Sequence, residues 1–242
     1  MSFGETGFLV VPPRLPLAMY DQVREDYERL THDGAMKSQD AFHYGGPPRG
    51  WEMWKRSAAA REVAWSVAEG AEPFQTLHFK RGSTQPLHQD HAHFDTVPEG
   101  RMFAAWTALE DITPESGPLV VLPGSHLLPA VDLWKLGLPP AEHGVKDPAY
   151  GDYEKWVATV GQAYEVRPLL LKKGESVVFG GRLLHGGSPI MDPYATRWSQ
   201  VTHYAIPPYE YAYAPMLSSE ADHKKKDMAA KNFRDPRNWE AH

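Results

Sequence analysis

Two side chains able to bind a transition metal, His88 and Asp90, stand one residue apart in the segment Gln85-Pro86-Leu87-His88-Gln89-Asp90-His91-Ala92-His93-Phe94. In an extended backbone residues i and i+2 point to the same face, so the pair can supply two adjacent arms of one metal site. The chain contains no cysteine, which excludes thiolate ligands, disulfides and cysteine nucleophiles and leaves histidine and carboxylates to complete the site. His185, where Leu183-Leu184-His185-Gly186-Gly187-Ser188-Pro189 passes from a strand pattern into a turn, is the candidate third ligand. Two imidazoles and one carboxylate on one face leave three positions of Fe(II) open, two for a bidentate 2-oxo acid and one for O2, which is what oxygenase chemistry requires. An isolated His-x-Asp arises readily by chance among twelve histidines, so its context decides its weight. Arg197 and Ser199 put a guanidinium and a hydroxyl on one strand face. A planar guanidinium can grip the distal carboxylate of 2-oxoglutarate through two parallel hydrogen bonds.

The elements that must position these groups show as patterns. Leu17, Tyr20, Val23, Tyr27 and Leu30 recur at three- and four-residue spacing, which predicts an amphipathic helix from Pro16 to Leu30 lying on a sheet. The Gly- and Pro-rich stretch from Asp33 to Gly50 reads as a loop, and a second helix is expected from Ser57 to Glu69, ended by Gly70. Beyond it the texture changes to short apolar or alternating segments bounded by turn residues, the signature of a β sandwich or barrel. Strands are predicted at Phe74 to Lys80, Arg101 to Leu109, Leu119 to Leu122, Tyr164 to Leu170, Ser176 to Phe179 and Arg197 to Ala205. The segment Leu127 to Gln162 reads as a long loop whose Trp134, Tyr150, Tyr153 and Trp156 could close over a ligand. Tyr204, Tyr209, Tyr211 and Tyr213 alternate as a strand face does, more in keeping with packing than with substrate contact. The expected organisation is one domain over residues 1–242, with N-terminal helices over about 16–70, a β core over about 74–206 and a charged tail at 218–242.

A formal net charge of -6, with Lys224 to Lys226 as the one basic run, argues against a nucleic-acid partner, whose phosphates need clustered surplus Lys and Arg. No stretch of sequence has the length and apolarity of a membrane span, and Met1 to Leu17 lacks the pattern of a secretory signal. The expectation is a cytoplasmic protein with a small-molecule partner; oligomeric state is not legible.

The chain resembles the phytanoyl-CoA dioxygenase family. The resemblance rests on Pro86-Leu87-His88-Gln89-Asp90, on Ala105-Trp106-Thr107-Ala108-Leu109-Glu110, and on Gly117-Pro118-Leu119-Val120-Val121-Leu122-Pro123-Gly124-Ser125-His126, and it runs from about Phe74 to Ala205. It implies a mainly β fold with flanking α-helices, a double-stranded β-helix (jelly roll, cupin-like). It also implies Fe(II) on His88, Asp90 and His185, with 2-oxoglutarate and O2 as cosubstrates and Arg197 gripping the former. Gln75 matches a residue that contacts the cosubstrate in relatives, and Trp106 falls where the family lines the same pocket. Relatives often carry His-Gly-Ser where this chain has His185-Gly186-Gly187, so a hydroxyl is missing at Gly187, and Ser199 or Ser188 is the expected replacement. Halogenating relatives replace the carboxylate with a small residue, so Asp90 favours hydroxylation.

Two other readings fit parts of the sequence: a cupin-like metal enzyme that uses no oxo acid, and a ligand-binding barrel with a vestigial metal site. The complete ligand set together with Arg197 speaks against both. His91, His93 and Phe94, continuing past the metal motif, are the candidate substrate contacts, whereas His126 reads as a turn residue. The expected substrate is a small polar or carboxylate-bearing molecule, with Arg49, Arg101 or Arg182 as its counter-charge; no basic cluster suits the phosphates of coenzyme A.

Overall fold

The computed structural model describes residues 2–35, 49–51, 53–83, 85–132, 148–209, 211–213 and 215, with 49–51 and 211–213 described by backbone alone. In chain order the elements are α1 (Phe3–Thr6), β1 (Phe8–Val11), α2 (Leu17–His32), β2 (Arg49–Trp51), α3 (Ala58–Ser66), β3 (Glu72–Phe79), β4 (Asp95–Val97) and β5 (Met102–Ala108). They continue with β6 (Leu119–Val121), α4 (Pro148–Gly161), β7 (Arg167–Pro168), β8 (Ser176–Gly180), β9 (His185–Gly187), β10 (Ser199–Ala205) and β11 (Tyr211–Tyr213).

Antiparallel pairing builds a six-stranded sheet in the order β1-β8-β5-β10-β3-β2 and a three-stranded sheet in the order β7-β6-β9, with β11-β4 as a separate pair. The large sheet sends Phe8, Ala104, Trp106, Ala108, Val177 and Phe179 to one face, where they pack with Leu119 and Val121 of the small sheet. Their alternation along each strand is the period-2 pattern of a half-buried sheet, and burying both inner faces against each other is what holds the jelly roll together. The opposite face of the large sheet is covered by α2 and α3 through Tyr20, Val23, Tyr27, Leu30, Ala59, Ala60 and Val63. In α2 these are four of the five positions of the helical period read from the sequence; the fifth, Leu17, is exposed at the start of the helix. Ser57 caps α3, its Oγ accepting from the Ala60 N–H at 3.0 Å. On the same side of the sheet Tyr204 stacks on Phe103, and its hydroxyl donates to the Ala64 carbonyl.

Three expectations need correction. The stretch Leu127 to Gln162 is not one long loop: its second half is α4, which lays Tyr150, Tyr153 and Val157 against Leu122 and Leu184 on the outer side of the small sheet. The spacing 150, 153, 157 is helical, and Pro148 sits at the helix start, where its missing N–H costs nothing. The strand expected over Tyr164 to Leu170 shrinks to Arg167–Pro168 at the edge of the small sheet. Proline cannot donate to a ladder and is tolerated at such an edge. The loop expected to end at Gly50 gives way at Arg49 to β2, which pairs with β3. Residues 36–48, Trp134 and the tail at 218–242 lie outside the described residues.

Candidate metal centre

The site begins with a pair of backbone hydrogen bonds. His88 N–H donates to the His185 carbonyl at 2.9 Å, and His185 N–H donates to the His88 carbonyl at 3.1 Å. This bridge adds His88 to the edge of the small sheet beside β9. Residues paired in this way share a face, so both imidazoles point inward, their ring centroids 4.2 Å apart. Gln89 is extended at φ -107, ψ 131, which returns Asp90 to the same face. A 3₁₀ turn over Asp90–Ala92 then takes the chain away.

The ligand atoms are oriented from behind. His88 Nδ1 lies 2.8 Å from the Pro86 carbonyl and His185 Nδ1 lies 3.0 Å from the Leu183 carbonyl. A carbonyl can only accept, so in each ring Nδ1 carries the proton and Nε2 is turned to the site. Asp90 Oδ1 is 3.5 Å from His88 Nε2 and 3.4 Å from His185 Nε2. The three ligand atoms lie within 4.8 Å of one another. Such separations suit ligands held about 2.1 Å from one shared ion. Electrostatics point the same way. Burial lowers the pKa of His88, reinforced by the charge of His185. Burial opposes the carboxylate of Asp90, yet His185 and His203 together hold it well below its ordinary range. Burial also opposes the charged form of His185, but the Asp90 carboxylate outweighs it and raises the pKa, so a proton and a cation compete for one lone pair.

Arg197 lies just before β10 and is 2% exposed. Its Nη1 donates to the Gly117 carbonyl at 2.9 Å, and its guanidinium carbon lies 5.5 Å from the Trp106 ring and 5.8 Å from the Phe79 ring. Gly117 has φ +73, a left-handed conformation that presents this carbonyl and that a side chain there could not share with Ile190. Arg197 Nε is buried without a hydrogen-bond partner, and no carboxylate pairs with the guanidinium among the described residues. Burial lowers its pKa to about 10, which leaves it charged at neutral pH. Ser199 Oγ and Gln75 Oε1 are likewise buried and unpartnered. Ser199 follows Arg197 at strand parity, and Gln75 stands opposite His203 in the register of β3 with β10. The missing hydroxyl at Gly187 has a steric cause: a Cβ there would lie 1.8 Å from the Ser83 carbonyl oxygen. Ser188 does not replace it, because its Oγ donates to the Pro118 carbonyl; the free hydroxyl is that of Ser199.

Of the three candidate substrate contacts, His93 and Phe94 stand next to the site. His93 lies edge-on to His88, with ring centroids 6.3 Å apart, and Phe94 packs on His203 at 5.0 Å. His91 does not join them. It is buried, with Nδ1 2.7 Å from Asp95 Oδ2, so it braces the turn instead. Arg182 is already paired with Glu99 at 3.1 Å. Tyr150, one of the aromatics expected to close over a ligand, places its hydroxyl 2.8 Å from His93 Nε2. Sequence reasoning overlooked two neighbours: Gln85, whose amide nitrogen lies 3.0 Å from His88 Nε2, and His203, whose Nε2 lies 3.4 Å from Asp90 Oδ2. The parity of β10 would have found the last, since 197, 199, 201 and 203 share one face.

Fold and centre together define a jelly-roll protein with a two-histidine, one-carboxylate metal site. The chain belongs to the phytanoyl-CoA dioxygenase (PhyH) family, whose profile matches residues 57–193. Peroxisomal phytanoyl-CoA dioxygenase of Homo sapiens is 38% identical over 111 residues, covering 44% of this chain and 29% of that protein, and the Bos taurus protein is 37% identical over the same length and shares. The match thus spans under a third of these curated relatives. Among solved structures, the non-heme alpha-ketoglutarate-dependent carbocyclase SnoK of nogalamycin biosynthesis superposes with a TM-score of 0.69 at 14% identity, covering 93% of this chain and 88% of the other. EctD from S. alaskensis, with 2-oxoglutarate and 5-hydroxyectoine, gives 0.60 at 19% identity, covering 90% and 78%. Among the described residues no helix is long and apolar enough to cross a membrane.

Proposed function

We propose that this chain is an Fe(II)- and 2-oxoglutarate-dependent oxygenase that hydroxylates a C–H bond of a small molecule. The observation that carries the reading is Arg197: a buried cation beside a two-histidine, one-carboxylate centre, with no anion paired to it among the described residues. A charge in a low-dielectric interior is costly unless something of opposite sign meets it, and a dicarboxylate oxo acid supplies that sign. When bound, Fe(II) with 2-oxoglutarate and O2 supplies the oxidising power, and the oxo acid leaves as succinate and carbon dioxide.

The protein's part is to bind, orient and keep out water. Nε2 of His88 and His185 and Oδ1 of Asp90 would hold the metal through one face, leaving the opposite positions to cosubstrates. Arg197 would take the distal carboxylate, with the Ser199 hydroxyl and the Gln75 amide as further polar contacts. Trp106 and Phe79 line the guanidinium and exclude water from it. The small-molecule substrate would present its reacting carbon over His93 and Phe94. Burial, helped by the charge of His88, brings the His93 pKa down to about 4, so this wall is neutral at physiological pH.

The test is consumption of 2-oxoglutarate and release of succinate by Fe(II)-loaded protein in air, first without added substrate and then across a panel of small molecules. Succinate should form in wild type and fall to background in His185→Ala. Tight Fe(II) binding without consumption of millimolar 2-oxoglutarate would move the protein to the cupin-like class that uses no oxo acid.

A further inference from the structure

Asp90 offers its two oxygens to different partners. Oδ1 faces the two Nε2 atoms of His88 and His185, whereas Oδ2 is buried without a hydrogen-bond partner among the described residues, with His203 Nε2 3.4 Å away. His203 is 4% exposed and projects from β10, between Gln75 on β3 and Ala104 on β5 in the register of the sheet. Phe94 and Phe74 flank its ring, with centroids 5.0 and 6.1 Å away, and Ala104 leaves room for it. The ring thus stands on the large sheet while the ligand it approaches belongs to the turn leaving the small sheet. At 3.4 Å the contact is longer than a relaxed N–H···O bond of about 2.7–3.2 Å.

We propose that His203 is a positioning residue for the metal site: its Nε2–H holds Oδ2 of Asp90, so that the carboxylate gives the metal one oxygen and leaves a coordination position for a cosubstrate. This inference rests on the metal-site reading above. Carboxylate ligands can bind through one or both oxygens, and two oxygens from Asp90 would consume a position that the oxo acid and O2 need. Outer partners that orient metal ligands influence affinity by about 10- to 100-fold. His203 also ties the centre to β10, the strand that continues from Arg197, so the metal and the distal carboxylate are registered by one element.

The experiment compares wild type, His203→Phe and His203→Gln by Co(II) titration, reading affinity and visible ligand-field bands, with thermal unfolding of the metal-free proteins alongside. Phenylalanine keeps the aromatic packing and removes the donor; glutamine places an amide N–H near the position of Nε2. Co(II) should bind His203→Phe about 10- to 100-fold more weakly than wild type, with altered bands, and His203→Gln should recover most of both. Wild-type affinity and unchanged bands in His203→Phe would reduce His203 to packing and overturn the inference while leaving the metal site standing. Bands in wild type that report one more nitrogen ligand than in His203→Gln would overturn it differently, by making His203 a ligand. Failure of wild type to bind Co(II) would remove the metal-site reading itself, and this inference with it.

Discussion

The metal centre and the Arg197 pocket are both buried, both polar and built on opposite sheets, yet their charges are managed differently. Around Asp90 the opposing groups come from the chain itself: His88, His185 and His203 surround one carboxylate. Around Arg197 they do not, for the guanidinium has one carbonyl, two aromatic rings and an unpartnered Nε. A carboxylate with polar partners from its own chain can persist as it stands, whereas a buried lone cation is a liability that a bound anion relieves. On the proposed function, the first region is a place for a cation shared among donors and the second a place for a ligand's negative charge.

The comparison breaks most severely at Asp90. Asp90→Ala removes the single anion among three histidines, and Fe(II) affinity should fall by more than about 100-fold, beyond the range for losing an outer partner. Equilibrium Co(II) or Fe(II) titration measures it. Arg197→Met should act in two opposite directions. Affinity for 2-oxoglutarate should drop by roughly 30- to 700-fold, corresponding to about 2–4 kcal/mol for losing a buried charge-assisted pair. The ligand-free protein should become more stable by about 1–3 kcal/mol, since an unpaired cation is replaced by an apolar chain. Calorimetric titration and denaturant unfolding read the two halves separately.

Smaller effects sharpen the contrast from outside the site. Gly187→Ser, which restores the residue expected from relatives, should destabilise the fold by about 1–3 kcal/mol because its Cβ would collide with the Ser83 carbonyl. It should not tighten 2-oxoglutarate binding, and a thermal melt beside a binding titration checks both. On the far face of the large sheet, His78 Nε2 donates to Gln200 Oε1 at 2.9 Å, and burial lowers its pKa from 6.5 to about 4. The unfolded chain therefore takes up a proton that the folded one refuses. Stability is complete above pH 6.5 and declines as pH falls towards about 4. The total is on the order of 3 kcal/mol. Denaturant unfolding across that window should show a shallower decline for His78→Gln than for wild type.

How much of this was legible beforehand depends on whether the information was local. His88 and Asp90 could be read because strand parity acts over two residues. The outward-facing helices could be read because Tyr20, Val23, Tyr27 and Leu30 carry a full helical period. The backbone bridge between His88 and His185 joins residues far apart in sequence, so their pairing could be expected only from chemistry. Helix α4 carried a readable period at 150, 153 and 157, but Pro148, Gly151 and a run of aromatic residues resemble loop composition. His203 was legible by parity from Arg197 and was passed over because its partner, Asp90, lies on the other sheet. The missing hydroxyl at Gly187 was legible but its cause was not, since that cause is the backbone of Ser83.

The most direct measurement is the visible charge-transfer band of an Fe(II)–oxo acid chelate, recorded without oxygen while either 2-oxoglutarate or pyruvate is titrated into wild type and Arg197→Met. Pyruvate has the chelating end but lacks the distal carboxylate. The account predicts that wild type forms the band at far lower concentrations of 2-oxoglutarate than of pyruvate, and that Arg197→Met erases the preference while keeping the band. Equal response of wild type to both acids, or no band with either on Fe(II)-loaded protein, would contradict the assignment of Arg197 and the oxygenase reading built on it.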